Sequence, residues 1–517
     1  MHGLPAARGA LPIALICLLL AGLAAAAVLA PPIWVAGALA GLLSLWVIGT
    51  WPSLGLLLII LGAQYAPLLS KMLANKVPYY LAVVSPVPVA IAVVWARWRK
   101  TSGLASIGWS PLRAPLLLVF GLFCIQLLNP RVPSYGAAVS DLGRLFAPMF
   151  VYVALVFADI DERWLKGLLI GLAINAAIAA AYGLSQELIG WLPFEEAWAA
   201  SIGAHGFVPG AALHRRPPSV TFYSATAALY LASLFWLLQA LAVEFRLSGW
   251  RKLGLHLISG LAVVAMLLTL TRGIWLAFGA TLVLSLSVGL ANWWNSDPSR
   301  PRLSWRQFLV GLLVAGLVLG AGMAYVINTQ AALSRESGGV LERLASVLDV
   351  RTYTYSGTAA GSRLSTWATF LSSIDPWGYL VGYGLGNVGA AGARFAGDRS
   401  LSQTTVDNWY LTTLLIGGLP TMLCFIWLLW RAVRTGLSLG QRGADRTLAG
   451  AGWALACVVV LFGGAFLTGD YMDAYPANLF FWISLGLLDR LAARRAAAAG
   501  EPSLQGSSGS PSHARPL

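Results

Sequence analysis

Apolar runs of roughly 20 residues, separated by short connections rich in Pro, Gly and Arg, constrain this chain more than any other feature. A run of that length crosses the hydrocarbon core of a bilayer as one helix. Inside lipid, only helices and closed barrels satisfy all of their own backbone groups. Barrel strands alternate polar and apolar residues, and these runs do not. The expected fold is therefore an all-α polytopic membrane protein. Composition leads to the same class: 58% of residues are hydrophobic and only 10% are charged. A soluble domain carries about a quarter charged residues and needs them to cover its surface.

The runs are Ala10–Ala30, Pro32–Gly49, Pro52–Leu69, Pro78–Trp95, Pro115–Leu128, Gly143–Phe157, Leu165–Ile189, Val220–Val243, Leu253–Leu270, Ile274–Ala291, Phe308–Ile327, Asn408–Trp430, Ala449–Leu467 and Ala477–Leu488. They predict about fourteen helices (12–14, since the shorter runs are marginal). Ala10–Ala30, preceded by Arg8, reads as a retained helix or as a signal peptide, and its length favours the helix. Four organisational units follow: membrane helices over 1–329, a large loop over 330–406, membrane helices over 407–495, and a tail over 496–517. The tail is Ala, Gly, Ser and Pro, a composition that predicts disorder.

Basic residues set the orientation. The net charge is +14, from 34 Lys and Arg against 20 Asp and Glu. Most of these cations sit in short loops: Arg97–Arg113, Arg246–Lys252, Arg300–Arg306, Arg431–Arg446 and Arg490–Arg495. Alternation of the runs puts all five loops on one face, which the positive-inside bias identifies as cytoplasmic. Both termini then lie in the cytoplasm and the 330–406 loop lies outside. The same distribution argues against nucleic acid as a partner. Cys17, Cys124, Cys424 and Cys457 each lie in an apolar run without ligand spacing, so neither a metal site nor a disulfide is expected.

Candidate chemistry gathers on the external face. Arg215-Arg216-Pro217-Pro218-Ser219 enters a long apolar helix, against the charge bias, and an arginine there can grip phosphate bidentately. Snorkelling of the same two side chains is the plainer account. Arg272, in Thr269-Leu270-Thr271-Arg272-Gly273, sits between two runs with almost no loop, where a charge is costly and usually functional. Arg363 and Trp367 share a helical face in Gly361-Ser362-Arg363-Leu364-Ser365-Thr366-Trp367. The run Gly382-Tyr383-Gly384-Leu385-Gly386 lacks the Gly-Lys-Ser/Thr ending of a P-loop; it offers backbone N–H groups to an anion or forms a turn-rich connector. Asp407, beside Asn408, is either a general base or the cap of the following helix.

Further residues carry weaker signals. Asp141 and Arg144 have the spacing of an ion pair, and Arg144 can add to phosphate binding. Asp470 and Asp473 are alternative bases. Asp159-Ile160-Asp161 has the spacing of a metal-binding pair but falls on the cytoplasmic face, where a solvated loop is the better reading. His205 and His214 stand in no ligand motif.

In order and spacing, the stretches "LTLTRGIWLAF", "GSRLSTW", "GYGLGN" and "VDNWYLTTLLIGGLP" resemble the O-antigen ligase and O-antigen polymerase family over roughly Arg215 to Trp430. The resemblance implies a GT-C-like helical glycosyltransferase of the bacterial inner membrane. Such an enzyme takes glycan from undecaprenyl pyrophosphate at the periplasmic face and passes it to a lipid A-core or glycan acceptor. It implies no cofactor and no metal, and a chain-length regulator as a further partner. Carried over by position, Arg216 and Arg272 match the family's phosphate-binding arginines and Arg363 its loop arginine. Asp407 stands where ligases have a histidine before Asn, which tips the reading toward a polymerase of O-antigen, capsule or exopolysaccharide. A flippase or transporter is the rival from another class. Such proteins place charges deep in helices and carry inverted repeats, whereas the charges here lie at helix ends.

Overall fold

The computed structural model describes residues 48–101, 110–132, 134–201, 217–294, 359–387, 406–439 and 446–500. Among these residues every regular element is a helix. In chain order they are α1 (Pro52–Gly62), α2 (Tyr65–Met72), α3 (Val77–Val84), α4 (Pro86–Thr101), α5 (Arg113–Ile125), α6 (Tyr135–Phe146), α7 (Phe150–Phe157), α8 (Glu162–Leu188) and α9 (Pro193–Ser201). They continue with α10 (Ser224–Glu244), α11 (Gly249–Leu268), α12 (Arg272–Trp294), α13 (Ala359–Ser373), α14 (Pro376–Val381), α15 (Trp409–Ser438), α16 (Arg446–Ala465) and α17 (Ala477–Gly500).

Seven of the described helical stretches are long and apolar enough to cross a membrane, or eight if the bent pair α1–α2 is one span. The chain is a polytopic helical membrane protein. The runs Ala10–Ala30 and Phe308–Ile327 lie outside the described residues, as does most of 330–406.

Helix α10 is the axis of the bundle. It packs against α8, α11, α12, α16 and α17. Its residues are apolar all round, with small Ala and Ser between larger side chains, so neighbours approach on every side. Tyr230, midway along it, is fully buried against Phe480 of α17, with ring centroids 5.1 Å apart. A second aromatic layer joins Trp409, Phe425, Phe462, Phe466 and Phe481 at edge-to-face and tilted angles.

The structure departs from the expected helix pattern at prolines. The single helix expected over Pro52–Leu69 is two helices bent by 60°. Pro67 has no N–H for the carbonyl of Ala63, so the helical ladder stops there. Pro148 marks the 3₁₀ turn Ala147–Met149 between α6 and α7, which together form one span, Tyr135–Phe157. The tail also differs from expectation. Helix α17 continues to Gly500, so the first residues of the segment predicted as disordered are helical. Its Ala-rich sequence has the highest helix propensity.

The break in α15 shows how the glycine-rich run is used. Gly418 adopts φ 71°, and Pro420 follows inside the helix. Pro420 cannot donate to Ile416, and the turn at Gly418 also releases Leu415. Both carbonyls are taken by the run after α14. The Tyr383 N–H donates to Leu415 at 2.7 Å, and the Gly384 N–H donates to Ile416 at 3.0 Å. The two backbones lie so close that a Cβ on Gly382 would overlap the Ile416 carbonyl, and one on Gly418 the Leu380 carbonyl. Gly382 itself has φ 77°. Gly382→Ala is expected to destabilise the protein by about 1–3 kcal/mol through forced φ and backbone overlap. A thermal melt in detergent measures this as a lowered unfolding midpoint.

Candidate active site at one end of the bundle

Five separated stretches meet at the end of the bundle where α12 and α15 begin. Asp407 and Asn408 precede α15. Asn408, not Asp407, is the helix cap: its Oδ1 accepts from the N–H groups of Tyr410 and Leu411 at 3.0 and 3.2 Å. Of the two readings that the position of Asp407 allowed, the cap is excluded. Asp407 is held in the left-handed region at φ 47°, a conformation that Asp tolerates better than most residues.

The turn at Asp407 is pinned on both sides. Trp367 of α13 donates its indole N–H to the Val406 carbonyl at 2.7 Å. On the other side the Trp409 N–H donates to the Phe466 carbonyl at 2.8 Å. The tryptophan of the "GSRLSTW" stretch is thus an anchor for the residue next to Asp407. Arg363 lies on α13 one turn before it.

Two further acids come from the α16–α17 connection. The Thr412 hydroxyl donates to Asp470 at 2.7 Å. Burial, followed by the neighbouring charge of Asp473 and more weakly that of Asp407, pushes the Asp470 carboxyl up to about 7. Asp473 is also raised by burial, opposed by the Arg144 guanidinium. The charge of Asp407 acts on both, so three carboxylates lie within electrostatic reach of one another.

Arg144 of α6 is held by two of the acids at this end. Its guanidinium donates to Asp141 and to Asp473 at 2.7 Å each. The other oxygen of Asp141 accepts from the Gly386 N–H at 3.1 Å. The ion pair expected from the i,i+3 spacing is present. Asp473 adds a second arm across 329 residues of sequence. The anion-binding expectation for the glycine run is overturned at these positions: the N–H groups of Tyr383, Gly384 and Gly386 all have protein acceptors.

Arg272 is the first residue of α12 and is half-buried. It follows a tight turn in which Leu270 adopts φ 55°. No carboxylate among the described residues pairs with it. Gly273 packs directly on the side chain of Thr468, leaving no room for a Cβ. Thr468 lies two residues before Asp470, which Thr412 ties to the first turn of α15. The helix that Arg272 starts therefore packs on the connection that carries Asp470.

Arg215 and Arg216 lie outside the described residues, as do His205 and His214. The residues just after the two arginines are firmly placed. Ser219, at φ 50°, receives a bond from buried Gln186 through Ser219 O and donates its N–H to Gln186 Oε1 at 2.7 Å. Gln186 in turn donates to Glu195 at 2.6 Å, and Lys71 contacts both Glu195 and the Ser219 carbonyl at 3.3 Å. Phe222 stacks on Trp198 with centroids 5.2 Å apart and leans on Tyr79, whose hydroxyl donates to the Asp473 carbonyl.

This buried network was missed by sequence reasoning. The available signal was Lys71, a cation ending an apolar run on the face where cations are disfavoured. The Lys71 and Glu195 side chains are 2% and 1% exposed, so removing one leaves the other charged and unpaired in the interior. Lys71→Met is expected to cost about 3–5 kcal/mol, and Lys71→Met with Glu195→Gln to recover most of it. Melting curves of the three proteins in detergent test this.

Elsewhere, the Asp159–Asp161 stretch serves structure at the opposite end of the bundle. Asp161 caps α8 through the Trp164 N–H at 2.8 Å, and Asp159 pairs with Arg97 at 3.2 Å.

The fold and this end define a class: a multi-pass helical membrane protein with arginines and carboxylates converging at helix ends along one edge. Residues 257–426 match the family model described as O-antigen ligase (Wzy_C). Over that range the chain is similar to the O-antigen ligase/polymerase family. A search of curated proteins found no match. The matched range contains Arg272, Arg363, Asp407 and Asn408. Arg144, Arg216 and Asp470 fall outside it.

Proposed function

We propose that the protein is an inner-membrane glycosyltransferase that polymerises lipid-linked polysaccharide repeat units at the periplasmic face. The donor is a glycan on undecaprenyl pyrophosphate, and the nucleophile is a sugar hydroxyl of the acceptor. One observation carries the reading. Arg272, without a described carboxylate partner, starts a helix that packs on the same connection whose Asp470 is tied to the Asp407 helix.

In this mechanism Arg272, Arg216 and Arg363 contact the pyrophosphate. Arg215 and the Asn408 amide nitrogen lie within the same substrate-binding region. As the glycosyl C1–O bond breaks, negative charge grows on the departing pyrophosphate, and each charge-assisted hydrogen bond contributes about 1.5–3 kcal/mol. Asp407 takes the proton from the attacking hydroxyl and orients it. Asp470, held near neutrality by burial, is the alternative base. Arg144, gripped by two aspartates, contributes by placing Asp473 rather than by binding phosphate. Because arginines neutralise the leaving group, transfer is expected to persist in EDTA; a loss restored by a divalent metal overturns that part.

Fourteen spans, a GT-C-like arrangement, a periplasmic 330–406 domain and cytoplasmic termini complete the proposal. The described ion pairs support one consistent topology. Pairs such as Arg97–Asp159 and Arg494–Glu244 join residues assigned to the cytoplasmic face, and Arg144–Asp473 and Lys71–Glu195 join residues assigned to the other.

The aspartate in place of a histidine before Asn408 favours polymerase; the family description favours a ligase that attaches glycan to lipid A-core. Purified enzyme given one lipid-linked repeat decides between them. Growth of a ladder without any other acceptor supports the polymerase. Transfer only when lipid A-core is added supports the ligase. Failure of both, with repeats moved between leaflets in vesicles, favours transport.

A further inference from the structure

The turn between α10 and α11, at the end of the bundle opposite Asp407, takes no part in the transfer chemistry proposed above. Its sequence is Phe245-Arg246-Leu247-Ser248-Gly249-Trp250-Arg251-Lys252. Phe245, Arg246, Leu247, Ser248, Trp250 and Arg251 line an open cleft of about 350 Å³. Arg246 and Arg251 are exposed, and Lys252 is half-exposed. Lys166 reaches over the Phe245 ring at 5.9 Å, and Arg494 approaches through Glu244 at 3.0 Å. Glu244 pairs with Arg494, and Glu162 pairs with Lys166.

An apolar track begins at the same cleft. Trp250 is 85% exposed, and Leu253 and Leu257 are exposed below it. These positions are i, i+3 and i+7 on α11, so they form one face of that helix. An indole at the first turn of a membrane helix sits at headgroup depth, with the aliphatic positions facing hydrocarbon. Cations at the headgroup level and an apolar stripe below them match the two halves of one molecule. We propose that this turn and the outer face of α11 form a binding site for an anionic phospholipid. Its phosphates lie among Arg246, Arg251 and Lys252, and one acyl chain lies along Trp250, Leu253 and Leu257. Free phosphate would use the cations alone and leave the track without a purpose. The site is independent of the transfer reaction.

The test uses full-length protein in neutral detergent, titrated with cardiolipin, with phosphatidylcholine and with inorganic phosphate. Binding is read by native mass spectrometry and by the unfolding midpoint. Cardiolipin is expected to bind and to raise the midpoint, while phosphatidylcholine and inorganic phosphate do not. Each cation near an anionic headgroup is worth about 1 kcal/mol, so Arg246→Ala/Arg251→Ala/Lys252→Ala should bind cardiolipin roughly a hundredfold more weakly. Trp250→Ala/Leu257→Ala, with the charges intact, should weaken cardiolipin binding as well. Three results overturn the proposal: equal cardiolipin affinity in the triple variant, no effect of the Trp250/Leu257 change, or an equal shift from inorganic phosphate. All five positions are at the surface. A variant whose unliganded midpoint drops is replaced by Arg246→Gln/Arg251→Gln/Lys252→Gln, for which the same outcomes decide.

Discussion

Asp407→Asn is expected to lower glycan transfer by roughly 10²- to 10⁴-fold while the protein folds and inserts normally. The substitution removes basicity while keeping the size of the side chain and one of its oxygens. Asparagine tolerates the left-handed conformation that residue 407 adopts at φ 47°. The cap of α15 belongs to Asn408, so helix initiation is untouched. The anchor from Trp367 lands on the Val406 carbonyl, which the change leaves in place. Initial rates with a purified lipid-linked donor give the effect, and an unchanged unfolding midpoint confirms that it is chemical. Wild-type rates in Asp407→Asn, together with loss in Asp470→Asn, would move the base to Asp470. Its carboxyl is already poised near 7, with Thr412 donating to it. Loss in neither variant removes carboxylate catalysis from the proposal.

The second large effect is expected at Arg272. Arg272→Ala removes a cation that holds no described carboxylate, so little native structure depends on its charge. One or two charge-assisted hydrogen bonds to the leaving pyrophosphate correspond to roughly a ten- to ten-thousandfold loss in transfer. Arg272→Lys should recover only part, since a point charge cannot reproduce the planar fork on phosphate. The contrast with Arg144 is the internal control. Arg144→Ala should lower the unfolding midpoint, because it leaves Asp141 and Asp473 without their shared partner. If Arg272→Ala instead lowers stability and leaves the rate unchanged, Arg272 is a structural interface residue, and the phosphate assignment fails.

Much of the architecture is legible in local pattern. Apolar length predicts helical spans, and the basic loops include Arg97 and Arg494, which pair with Asp159 and Glu244 at helix ends. The tight turn at Thr271–Gly273 and the polar pair at Asp407–Asn408 are both found at helix starts. What local pattern mistakes is the use of individual groups. Asp407 and Asn408 are adjacent, and only the backbone geometry says which one caps. The Gly382–Gly386 run resembles an anion cradle until its N–H groups are found on Leu415, Ile416 and Asp141.

By itself, then, the sequence determined the all-helical membrane class and the resemblance that the match over residues 257–426 supports. Both follow from periodicity and short motifs, which are local quantities. Tertiary structure alone decided that Arg144 is shared by Asp141 and Asp473, that Lys71 is buried against Glu195, and that Thr412 tethers Asp470 beside the Asp407 turn. Those pairings join helices far apart in the chain. In a low-dielectric interior a charge must find whichever partner packing brings near, and no local pattern specifies which partner that is.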